Sequence, residues 1–136
     1  MVSNQTITPT EQAFAFLALL VAYLPKGDYK ADVGKWATAI SILREKHRTQ
    51  NPSFFRYLNF RQSPKSDSYS PEISNFLTFL QFTDATEVQN PGFTKLLFKD
   101  EARKLLLEKY EMFFTSEDQA AVKQMSHELS EAVAIK

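Results

Sequence analysis

Residues Ala13–Leu24, AFAFLALLVAYL, carry no charge and only one polar atom group, the hydroxyl of Tyr23. A helix that is apolar on every side must be covered on every side, so the rest of the chain has to be arranged around this stretch. Its start is marked by Thr8-Pro9-Thr10-Glu11. Thr8 suits the N-cap, Pro9 suits the first helical position, and Glu11 at the third position completes a capping box. Pro25 and Gly27 end it. Ala13, Ala15, Ala18 and Ala22 allow neighbours to approach closely. The longest uncharged run, Gln12–Pro25, is too short to cross a bilayer.

The remaining pattern predicts more helices. Val33, Trp36, Ile40, Leu43 and His47 recur at spacings of three and four, which predicts a second helix over Tyr29–Arg48 with Asp28 as its cap. Asn51-Pro52 breaks it, and Ser53 opens a short third helix over Phe54–Gln62. Residues 63–70, SPKSDSYS, read as a connecting loop. Ser70-Pro71-Glu72 starts a fourth helix whose core stripe is Ile73, Phe76, Leu77 and Leu80, widened by Phe79 and Phe82. Residues 83–92 read as a second connection, closed by Asn90-Pro91-Gly92. A kinked helix is expected over Phe93–Phe114, because the stripe begun by Leu96 and Leu97 changes phase at Asp100 and Glu101. Ser116 with Gln119 suggests a capping box for a last helix over 117–134, which should bury Val122, Met125, Leu129, Ala132 and Val133. No segment reads as a strand. The expected fold class is all-α: a compact single-domain bundle of five or six helices around a buried N-terminal helix. One domain covers 1–136, with residues 1–7 flexible.

Composition removes several kinds of chemistry. The absence of cysteine excludes disulfides, thiolate metal sites and cysteine nucleophiles, and agrees with a cytoplasmic protein. Residues 1–10 contain no Lys or Arg, so no secretory signal is expected. The Gly-rich phosphate loop of nucleotide hydrolases is missing. His47 and His127 are far apart and lack metal-ligand spacing. Asp28 and Asp32 could share a helix face, but capping and surface charge explain them more simply. Arg44 with His47 is similar to the Arg and His of some small helical ribonucleases, but the gap here is too narrow. The chain is therefore read as non-catalytic, with no metal and no cofactor.

The charge pattern is more telling than the net charge of zero. Residues 44–65, REKHRTQNPSFFRYLNFRQSPK, hold six Lys or Arg against one Glu, a net of +5. Residues 66–136 hold twelve acids and seven bases, a net of −5. A basic middle and an acidic end can attract each other within one molecule or between neighbours. In the basic stretch, Arg44, Lys46, Arg48, Arg56, Arg61 and Lys65 alternate with Phe54, Phe55, Tyr57 and Phe60. Cations that meet phosphates, set among rings that stack on bases, point to a single-stranded nucleic-acid surface. Phe55 and Tyr57 are the candidate stacking rings. Arg56 and Arg61 are the strongest phosphate candidates, because the dipole of a long helix already accounts for cations at the end of the second helix.

A small all-α chain with a basic strip and an acidic remainder resembles the small helical subunit of CRISPR RNA-guided effector complexes. The resemblance is architectural and rests on size, helix content and Arg44–Lys65. It implies a subunit that stacks within a larger complex and holds the backbone of single-stranded nucleic acid or an RNA–DNA duplex. Such a subunit touches other protein subunits and no membrane. The alternative expectation is a protein-interaction adaptor or regulator that uses an aromatic patch at 54–60 and binds no nucleic acid.

Overall fold

A computed structural model describes residues 8–30, 32–49, 52–61, 69–82, 86–89 and 95–135. The described residues are mostly helical, and among them are five α-helices, two 3-10 turns and a small sheet. Helix α1 (Pro9–Ala22) begins as its sequence requires: the Thr8 hydroxyl accepts the Glu11 N–H at 3.1 Å, and the Glu11 carboxylate accepts the Thr8 N–H at 3.2 Å. Every residue from Ala15 to Ala22 is buried. The cover comes from α3 (Pro71–Phe82), α4 (Asp100–Tyr110), α5 (Ser116–Val133) and the 3-10 turns Pro52–Phe55 and Glu111–Phe113. Helix α2 (Val33–Lys46) packs on α3 and α5, adding Trp36, Ala37, Ile40 and Leu43 to the same core.

The C-terminal end of α1 is tied to later parts of the chain. Arg103 of α4 donates through one guanidinium nitrogen to the carbonyls of Ala22 and Leu24, placing a cation at the negative end of α1. The Tyr23 hydroxyl donates to Glu111 at 2.7 Å. Burial, and then the Glu111 carboxylate, push that phenol above its ordinary pKa. In mid-helix, the buried Ser126 hydroxyl donates to the Leu20 carbonyl at 2.7 Å.

The sheet corrects the expectation of a chain without strands. Strands β1 (Asp28–Lys30), β2 (Thr86–Gln89) and β3 (Lys95–Phe98) pair antiparallel in the order β1-β3-β2, with Tyr29 and Val88 both opposite Leu96. Beyond α5, Ala134 bridges to Tyr29, and the Ile135 N–H donates to the Asp28 carbonyl at 3.0 Å. The expected second helix therefore starts later than Tyr29. Its cap is Asp32, not Asp28, with the carboxylate accepting the Gly34 N–H at 2.9 Å. Side-chain anchoring explains the difference. The Tyr29 hydroxyl donates to the Pro25 carbonyl, and the Trp36 indole donates to the Lys30 carbonyl at 2.7 Å. These bonds hold 28–30 extended, with the Tyr29 and Trp36 rings packed on Phe98 of β3.

Two further helices are cut short. In place of a third helix over 54–62, the 3-10 turn Pro52–Phe55 gives way to a turn and then non-helical chain up to Arg61, which exchanges backbone hydrogen bonds of 2.8 Å with Tyr69. Phe54, Phe55 and Leu58 are all buried, and adjacent residues of one α-helix do not share a face. In place of one kinked helix over 93–114, β3 precedes α4, so the change of phase at Asp100 is a change from strand to helix. The expected connection at 83–92 contains β2. Residues 1–7 and 62–68 lie outside the described residues.

The other helices follow their stripes. Ser70 caps α3, accepting the Ile73 N–H at 3.4 Å, and Ile73, Phe76, Leu77 and Leu80 are buried. Phe79 is not part of that core, being 47% exposed. Val122, Met125, Leu129 and Val133 are buried on α5, while Ala132 is exposed. The cap of α5 is Thr115 and not Ser116: the Thr115 hydroxyl accepts the Asp118 N–H at 3.1 Å, while Gln119 donates to the carbonyls of Glu111 and Phe114. Among the described residues no helix is long and apolar enough to cross a membrane. Thr115→Ala should cost about 1 kcal/mol. Ser116→Ala should cost well under half of that. Urea unfolding midpoints of the two variants check this, and equal losses would return the cap to Ser116.

Candidate nucleic-acid interface

The basic stretch begins on the last turn of α2, where the apolar stripe that seats Trp36, Ile40 and Leu43 also carries His47 inward. His47 is 6% exposed and bonds through Nε2 to a carboxylate oxygen of Glu128 on α5, at 2.8 Å. An ionised carboxylate only accepts, so the imidazole nitrogen donates. Lys46 donates to the other oxygen of Glu128. Burial pushes the Glu128 carboxyl up, but the hydrogen bonds and charges of Lys46 and His47 outweigh it and hold the group below its ordinary pKa. Lys46 is thus engaged within the molecule. Arg48 lies 3.7 Å from Glu45, with both side chains largely exposed; such surface pairs are worth about 0–1 kcal/mol and exchange readily.

Three guanidinium groups stand differently. Arg44 lies over the Phe60 ring, 4.6 Å from its centroid, and Arg56 lies 5.7 Å from the Tyr57 centroid. Arg56 and Arg61 are exposed, and the Arg61 backbone is pinned on both sides to Tyr69. Among the described residues none of the three has a carboxylate within ion-pair distance. The Arg44–Phe60 contact closes the chain from the end of α2 back upon itself, so Arg44 meets the immediate neighbour of Arg61.

The aromatic half of the expected strip is used otherwise. Phe55 is 4% exposed and meets Phe16 edge-on with centroids 5.0 Å apart, so it is no stacking platform. Phe54 stacks on the other side of the same core, 5.4 Å from Phe16. Tyr57 is half-buried against the core, with one contact to Arg56. The patch at 54–60 is therefore largely interior. Lys65 lies outside the described residues.

Two acids missed in the sequence shape this surface. Glu128 neutralises Lys46, and Glu72 accepts from the Asn59 backbone at 2.6 Å and its side chain at 3.3 Å. The signal was the opposed charge of residues 44–65 and 66–136, part of which is satisfied within one chain. Asp28 stands in β1 while Asp32 caps α2, so they do not share a helix face. Among the described residues no three potential metal ligands come together. No family model, curated protein or solved structure matches the chain.

Glu128→Gln should destabilise the fold by about 1–3 kcal/mol at pH 7, because it weakens charge-assisted bonds at a buried imidazole. The native carboxyl titrates below its unfolded value, so its contribution is complete above the ordinary carboxylate pKa of about 4.3. It fades as pH falls through the lower native value. Unfolding curves of both proteins at neutral and strongly acidic pH should therefore differ at the first and converge at the second.

Proposed function

We propose that the protein is a non-catalytic nucleic-acid-binding subunit of a larger ribonucleoprotein, of the kind represented by the small helical subunits of CRISPR effector complexes. The observation that carries this reading is that three guanidiniums of the basic stretch, those of Arg44, Arg56 and Arg61, have no carboxylate partner among the described residues. A guanidinium presents a planar fork of donors that matches phosphate oxygens, and it stays charged at any physiological pH. Rings beneath Arg44 and Arg56 orient these groups without neutralising them. With Phe55 interior, contact rests on the backbone of single-stranded nucleic acid or an RNA–DNA duplex, not on base stacking.

A surface of this size binds weakly by itself, which suits a subunit whose neighbours supply further contacts. Arg48, released from Glu45, would extend the track, and Lys65 continues it in the sequence. Lys46 drops out, being paired with Glu128. A cytoplasmic setting accords with the cysteine-free composition. With Phe54, Phe55 and Leu58 buried, an adaptor acting through 54–60 would rest on the partly buried Tyr57 and Phe60.

Fluorescence anisotropy of a labelled single-stranded oligonucleotide tests the proposal. Log affinity should fall with log salt, and Arg56→Ala/Arg61→Ala, which gives up two phosphate contacts, should make that slope shallower by about 1.4. The double variant should also bind at least tenfold more weakly at low salt, while Lys46→Ala should bind nearly as the parent does. A parent protein that shows no binding at low salt, or a slope untouched by the double substitution, would overturn the assignment.

A further inference from the structure

On different elements from the arginine group, α1, α3 and the end of α4 enclose a cleft of about 390 Å3. Its walls are Phe14, Phe79, Tyr110 and Phe113, and its two charged side chains are Glu11 and Lys109. Cavities that hold small organic ligands range over about 300–1,000 Å3, with aromatic walls and a few placed polar groups. The walls here are fixed in advance. Phe14 packs edge-on against the buried Phe76 at 4.8 Å, and Phe79 and Tyr110 stand 5.1 and 5.5 Å from Phe14. Tyr110 in turn stands 6.3 Å from Phe113. Phe79 remains 47% exposed although its neighbours Phe76 and Leu80 are buried.

The two charges are not equivalent. Glu11 is occupied, since its carboxylate completes the capping box of α1. Lys109 lies 5.6 Å from the Tyr110 centroid and has no carboxylate within ion-pair distance among the described residues. An ammonium held on a ring at the rim of an aromatic cleft disfavours cations and offers donors to an anion. We infer that this cleft binds a small aromatic anion, its rings seated between Phe14, Phe79, Tyr110 and Phe113 and its carboxylate or sulfonate on Lys109.

Two fluorescent probes that share their rings separate the two parts of this inference: 1-anilinonaphthalene-8-sulfonate, which is anionic, and N-phenyl-1-naphthylamine, which is neutral. Titrated into the full chain, both should bind with one site per molecule. Lys109→Ala, at an exposed position, should weaken the sulfonate about tenfold, the order expected for one charge-assisted hydrogen bond, and leave the neutral probe unchanged. Phe79→Ala should weaken both by tenfold or more, and Arg56→Ala/Arg61→Ala should weaken neither. Equal losses for the two probes in Lys109→Ala would overturn the inference. So would full binding of both probes in Phe79→Ala, or loss of the sulfonate in the arginine variant, which would place it on the guanidinium surface.

Discussion

From Ala15 onward helix α1 has no side that tolerates water, and the architecture is the set of elements needed to enclose that stretch. From Ala15 to Ala22 each residue is buried, so the helix needs cover around its whole circumference. No single partner achieves this; α3, α4, α5 and two 3-10 turns share the task. Small residues such as Ala15, Ala18 and Ala22 bring those neighbours close, while Phe16, Leu19 and Leu20 fill the space between them. The polar ties then act as alignment pins: Arg103 on the end of α1, Tyr23 on Glu111, and Ser126 on the Leu20 carbonyl. Each satisfies a group that the enclosure would otherwise leave without water.

What could be read in advance was what local chemistry decides. The capping box of Thr8 and Glu11, the Ser70-Pro71 start and the stripes of α3 and α5 depend on residues within two turns of one another, and they stand where the sequence puts them. The sheet depends on partners far apart. Asp28–Lys30 is three residues long and pairs with Lys95–Phe98, so neither segment carries enough alternation to declare itself. Leu96, Leu97 and Phe98 resembled the start of the following helix for the same reason. The change of phase at Asp100 was visible, but a kink and a change of secondary structure leave the same trace. Thr86–Gln89 and Lys95–Phe98 pair antiparallel, and a reading that took 83–92 as a connection and helix from 93 onward had no local signal for either strand.

The basic stretch shows a similar division. Its cations were evident, but the availability of Lys46 depended on Glu128, an acid contributed by a distant helix. The aromatic residues were ambiguous in kind: a ring beside an arginine suits a base or a core equally well. Burial against Phe16 decides this for Phe54 and Phe55, whereas Phe60 and Tyr57 serve as supports for cations. What is left is a smaller, more purely electrostatic surface than the sequence implied.

The enclosure of α1 also has a temporal side. The Leu20 carbonyl and the Ser126 hydroxyl that meets it are 106 residues apart. At translation rates of about 5–20 residues per second, roughly 5–20 s separate their synthesis. During that interval the most apolar segment of the chain has left the ribosome without α5, and its C-terminal end waits for Arg103. Vectorial synthesis therefore exposes this helix at the moment when it is least able to fold. The longer this apolar segment stays uncovered, the longer it can meet other nascent chains.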